Sequence, residues 1–81
     1  MNSILQEQGS KKRDMILQVI ISYISNHGYP PSIREISDLT GIGSTSTVHS
    51  HLVKMDKEGR IKLGGGPRMI QVVGYKFIKE E

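Results

Sequence analysis

Between Lys11 and His27, apolar side chains recur at Met15, Ile16, Val19, Ile20, Tyr23 and Ile24. Steps of three and four residues gather them on one stripe, which predicts an amphipathic α-helix facing a core. Gly28 supplies its stop, and Tyr29-Pro30-Pro31 forces extended backbone beyond it. Ser32-Ile33-Arg34-Glu35 then has the spacing of a capping box, in which serine and glutamate each satisfy the other's backbone N–H. A short second helix should follow, with Ile33, Ile36 and Leu39 inward and an end near Thr40-Gly41. Ile42-Gly43 leaves room only for a sharp turn. Ser44, Thr45 and Ser46 offer N-caps for a third helix, roughly Thr45 to Glu58, with Val48, Leu52 and Met55 buried and Gly59 as its stop.

After Gly59 the period changes. Arg60-Ile61-Lys62-Leu63 alternates polar and apolar, Gly64-Gly65-Gly66-Pro67 breaks the chain, and Met69-Ile70-Gln71-Val72-Val73 is β-prone again. That pattern predicts a hairpin with a glycine-rich tip. The fold class expected is mainly α with a small β-hairpin: three helices and a two-stranded wing, a winged helix-turn-helix. Residues 1–10 read as a polar, frayed leader, residues 11–73 as the domain, and residues 74–81 as a tail.

Composition narrows the function classes. The chain's 81 residues suffice for one small domain, which buries only about two-thirds of its unfolded surface and leaves little room for an enclosed active site. There is no cysteine, hence neither a disulfide framework nor a thiolate metal site. No apolar run reaches the roughly 18 residues of a membrane span, and Met1 to Glu7 lacks a signal-peptide pattern, so a cytoplasmic protein is expected. The charge of +3 is unevenly distributed. Residues 1–42 balance four cations against four acids, whereas residues 43–76 set six cations against two acids, a net of +4. A basic second half suits an anionic partner such as nucleic acid, and equally a solvated face.

The second helix of a helix-turn-helix pair lies in the major groove and reads bases near its N-terminus. The outward residues there are Ser44, Ser46, Thr47, His49 and Ser50, short hydrogen-bonding side chains suited to base edges. A serine-threonine cluster can simply cap a helix. Placed after a capped helix and a glycine turn, this one reads as a recognition surface. Arg34, Lys54, Lys62 and Arg68 are the candidates for phosphate and wing contacts, with Lys57 and Arg60 nearby.

Three stretches carry a resemblance: His27-Gly28-Tyr29-Pro30-Pro31-Ser32-Ile33-Arg34-Glu35-Ile36, Ser44-Thr45-Ser46-Thr47-Val48-His49-Ser50-His51-Leu52, and Gly59-Arg60-Ile61. Together they resemble the DNA-binding domain of LexA-type SOS repressors, most closely the Gram-positive form, over Lys11 to Val73. The resemblance implies repression through a palindromic operator bound by a dimer. It also implies base-reading roles for Ser44, Ser46, Thr47, His49 and Ser50, the set chosen from the helix pattern. LexA-type repressors continue into a self-cleaving, dimerising domain with a serine-lysine dyad. These 81 residues do not supply one, so self-cleavage and its induction switch are not carried over. The chain is then an excised domain or a stand-alone regulator sharing the head, bacterial or phage-encoded.

Several features remain two-sided. Gly64-Gly65-Gly66-Pro67-Arg68 is no P-loop, lacking the Gly-Lys-Ser/Thr ending and a following helix. It is either a flexible tip or a wing that brings Arg68 and Lys62 to phosphate or the minor groove, its glycines allowing close backbone approach. His49 and His51, two apart on a helix, diverge by about 200° and cannot grip one ion. Protonating His49 would add charge opposite DNA, so binding is expected to tighten in mild acid. Tyr75, Phe77 and Ile78 either extend the second strand onto the first helix or form a dimer contact. The pattern offers no catalytic arrangement, no cofactor and no small-molecule substrate. Double-stranded DNA and self-association on a palindromic site are the expected partners. The alternative is a winged-helix protein–protein module without specific DNA binding, which would need an apolar outer face on the third helix.

Overall fold

The computed structural model describes residues 3–66 and 68–74, with side chains from Gly9 onward. The elements run α1 (Ser3–His27), α2 (Ile33–Thr40), α3 (Thr45–Lys57), β1 (Ile61–Leu63) and β2 (Ile70–Val72). The first helix begins at Ser3, eight residues before Lys11, so the described part of the leader is helical. Only Gly9 in that stretch opposes a helix, at a cost of about 1 kcal/mol relative to alanine. The face α1 buries also differs from the expected stripe. Ile16, Ile20 and Ile24 are buried, with Leu17 and Ile21 packed beside them, while Met15 is 40% exposed and Val19 and Tyr23 are half-buried. Apolar residues surround much of this helix, so periodicity alone could not select the flank that α2 and α3 cover.

Glycine ends α1 as expected: Gly28 has a φ of 84° and its N–H donates to the Ile24 carbonyl at 2.8 Å. Both halves of the capping box at α2 are formed. Glu35 N–H donates to Ser32 Oγ at 3.1 Å, and Ser32 N–H donates to Glu35 Oε1 at 2.9 Å. Ile36 is fully buried and Ile33 half-buried, but Leu39 is 57% exposed, contrary to its predicted inward position. At 100° per residue, Leu39 falls outside the arc shared by Ile33, Ile36 and Thr40, and those three set the inner face.

The turn into α3 is closed by side chains. Thr40 Oγ1 donates to the Ile36 carbonyl at 2.7 Å and accepts from Ile42 N–H at 3.3 Å, while Ser37 Oγ donates to the Ile42 carbonyl. Gly41 stands at a φ of 77°, and its N–H donates to Ser37 O at 3.0 Å. Val48, Leu52 and Met55 form the buried stripe of α3 as expected. Its end is a Schellman arrangement: Arg60 N–H donates to Met55 O and Gly59 N–H to Asp56 O, at 2.9 and 3.0 Å.

The hairpin pairs Ile61 with Val72, Lys62 with Gln71 and Leu63 with Ile70, antiparallel. Ile61, Ile70 and Val72 face the core, while Lys62 and Gln71 face solvent. Asp56 Oδ2 accepts from Leu63 N–H at 3.2 Å, tying β1 back to α3. The tip glycines have a local use: a Cβ on Gly64 or on Gly66 would stand 2.7 Å from Met69 side-chain atoms. Met69 lies against the tip in space that only glycine leaves open. The segment from Tyr75 onward, and with it the expected dimer or strand contact, lies outside the described residues.

Candidate nucleic-acid interface

The outer face of α3 begins at a capped terminus. Ser44 is the N-cap, with extended backbone, and its Oγ accepts from Thr47 N–H at 3.3 Å. Its hydroxyl proton remains available to a ligand. Ser44, Ser46, Thr47, His49 and Ser50 are all exposed. Ser46, His49 and Ser50 line one open concavity together with Thr45 and Ile33. Ser44 and Thr47 are not part of that lining; Thr47 projects from the other flank of the exposed face. Thr45, which the sequence offers only as an N-cap candidate, also belongs to this face. Its i, i+4 spacing to His49 was the available signal.

This surface is polar and rich in donors. Hydroxyls can both donate and accept, and the imidazole presents a ring nitrogen at the same face. The N-terminus of α3 adds unsatisfied backbone N–H groups and a partial positive charge, both suited to an anion. An apolar outer face, which a protein-docking helix would need, is absent from Ser44 to Ser50.

The cations divide into two groups. Arg34, Lys54, Lys57 and Lys62 are exposed and make no ion pair among the described residues. The arginines of the basic half are engaged internally. Arg60 Nη2 lies 2.7 Å from Asp14 Oδ1, with Glu58 at 3.9 Å from Nη1. Arg68, a candidate for phosphate and wing contact, grips Glu35 with both guanidinium arms, Nη1 to Oε1 at 2.7 Å and Nη2 to Oε2 at 2.8 Å. Nη1 also donates to Pro30 O at 3.0 Å, and the guanidinium stands 4.9 Å from the Tyr29 ring centroid. The acids that neutralise Arg60 and Arg68 include Asp14 and Glu35 from the balanced first half, so free positive charge on the second half resides on lysines.

Arg68 and the Ser32 N–H hold the Glu35 carboxyl at about 2, below its ordinary range, and Glu35 raises the Arg68 guanidinium in turn. On the opposite side of α3, burial pushes the His51 imidazole down, helped by the charges of Arg13, Lys12 and Lys54. His51 Nδ1 faces Arg13 Nη1 at 3.5 Å, away from the Ser46–Ser50 face. The two histidines therefore serve different sides of the helix. No group of three metal-binding side chains occurs among the described residues, and none of their helices is long and apolar enough to cross a membrane.

Three helices, a tight turn leading to a helix with an exposed polar N-terminal face, and a hairpin beside it define a winged helix-turn-helix. Residues 6–68 match the LexA DNA binding domain family. The chain belongs to that family. It is 43% identical over 74 residues to a LexA repressor of Caldicellulosiruptor saccharolyticus, covering 90% of this chain and 37% of that protein. A LexA repressor of Ligilactobacillus salivarius is 44% identical over 76 residues, with the same coverage of 90% and 37%. One of Shouchella clausii is 42% identical over 69 residues, covering 84% of this chain and 33% of the relative. The chain thus spans about a third of the length of these relatives.

Proposed function

We propose that the chain binds double-stranded DNA sequence-specifically and represses transcription, reading a palindromic operator as a homodimer assembled on DNA. The observation that carries this reading is the exposed, capped N-terminal face of α3, polar from Ser44 to Ser50 and placed after a turn locked by Ser37, Thr40 and Gly41. Family membership and the repressors among its relatives support the same assignment. Ser44, Ser46, Thr47, His49 and Ser50 are assigned to base edges, with Thr45 added because it lines the same concavity as Ser46, His49 and Ser50. Arg34, Lys54 and Lys62 are assigned to phosphates, which position the domain without reading sequence. The role is binding, with no catalytic step assigned to these residues, and the setting is the bacterial cytoplasm.

Selection of bound duplexes from a randomised library tests this directly. Enrichment of a two-fold symmetric motif, with half-sites at a fixed spacing, is the expected result. Binding without enrichment that vanishes as salt rises would contradict it and leave only phosphate attraction.

A further inference from the structure

The wing is held by a contact that its sequence neighbours do not supply. Two strands of three residues make a marginal hairpin on their own, and the tip is thinly packed, with Met69 57% exposed. Arg68 links that tip to the other end of the helix-turn-helix. Its two arms meet the two Glu35 oxygens at 2.7 and 2.8 Å, Nη1 also reaches Pro30 O at 3.0 Å, and the guanidinium lies 4.9 Å from the Tyr29 ring. Tyr29 in turn packs edge-on against Tyr23 of α1 at 5.8 Å between centroids. Glu35 is meanwhile fixed by the capping box, through its bond from Ser32 N–H. A planar fork on a carboxylate that is itself held at a helix start defines direction as well as distance.

We propose that Arg68 and Glu35 form a clamp that sets the angle of the wing against α2 and α3, making both of them positioning residues for DNA binding. The inference rests on the DNA-binding reading above. Arg68 thus leaves the set of direct phosphate contacts. What the clamp positions is Lys62, exposed on β1 and unpaired among the described residues. The Arg68–Glu35 pair as a whole is neutral, so it offers a phosphate no net charge. Freeing it would require breaking both arms of the pair.

Glu35→Gln separates the clamp from direct contact. The amide oxygen can still accept from Ser32 N–H, so the cap is retained while the charged fork is lost. If Arg68 touched phosphate directly, removing the neighbouring negative charge would tighten DNA binding. The clamp requires the opposite. Glu35→Gln and Arg68→Lys should each weaken binding to the selected duplex by about fivefold to tenfold, and the double variant should lose little more than either one. Both should lose ethylation interference at the same phosphates as Lys62→Gln, and keep it at phosphates beside α3. Without DNA, hydrogen exchange at Gly64 N–H, bonded to Met69 O, should quicken, while Ile20 and Leu52 amides keep their protection and show that the fold is intact. Equal or tighter binding by Glu35→Gln, with Gly64 exchange unchanged, would overturn the clamp alone. Absence of specific binding by the unaltered chain would overturn the DNA-binding reading and the clamp's role with it.

Discussion

Glu35 serves two partners, the α2 N-terminus and Arg68, and acid should expose that double duty. Its folded-state pKa of about 2 lies below the ordinary 4.5, so its stabilising contribution is fully present above 4.5 and is lost as pH falls towards 2. Thermal unfolding followed across that window should show a Glu35→Gln chain with a shallower acid decline than the unaltered protein. His51 also favours higher pH, through a different cause: its folded pKa is lowered by burial and by the cations around it, so the unfolded chain takes up the proton first. Stability is full above the ordinary value of 6.5 and falls as pH drops below it, and a His51→Gln variant should flatten that part of the profile. Protonation would also place a donor opposite Arg13 where Nδ1 now stands as acceptor. At the interface, Ser46→Ala should cost about 1–3 kcal/mol at one base position and leave other positions unchanged, measured by competition between single-base operator variants. The pair partner of Arg68 was not legible in the sequence. Glu35 is 33 residues away, and only the hairpin's return brings the two together.

Local chemistry made the second and third helices legible as elements. Ser32 and Glu35 announce one start, Ser44 the other, and Gly41 and Gly59 the stops, because caps are satisfied within a few residues. Faces were less legible than boundaries. Leu39 fits the three-residue step from Ile36, yet the neighbours of α2 cover Ile33, Ile36 and Thr40, leaving Leu39 with Met15 beside an exposed groove. On α1 the choice between Met15 and Leu17 depends on where the other helices lie, which periodicity does not encode. The turn is the most sensitive element. Gly41 holds a φ of 77° with no side-chain contact near its Cβ direction, so Gly41→Ala tests backbone strain rather than packing. It should destabilise by about 1–2 kcal/mol in chemical denaturation. Ser32→Ala should cost about 1 kcal/mol through the lost cap.

For the whole molecule, folding redistributes the charge that the sequence only counts. Arg60 and Arg68 are tied to Asp14 and Glu35, while Arg34, Lys54, Lys57 and Lys62 remain unpaired among the described residues. Affinity should fall linearly on a log–log plot with salt, with a slope of about −0.9 for each phosphate neutralised. Lys54→Gln should reduce that slope by about 1 while leaving sequence preference intact. The basic half was visible in composition, but its free charge was not, because pairing joins residues from the two halves of the chain. Titrating isotope-labelled protein with the selected duplex and mapping amide shifts tests whether α3 presents its Ser44–Ser50 face to DNA with the wing alongside. The largest shifts should fall on Ser44 to Ser50 and around Lys62. Shifts concentrated instead on Met15, Val19 and Leu39, with α3 unmoved, would place DNA on the α1–α2 side and exclude α3 as the reading helix.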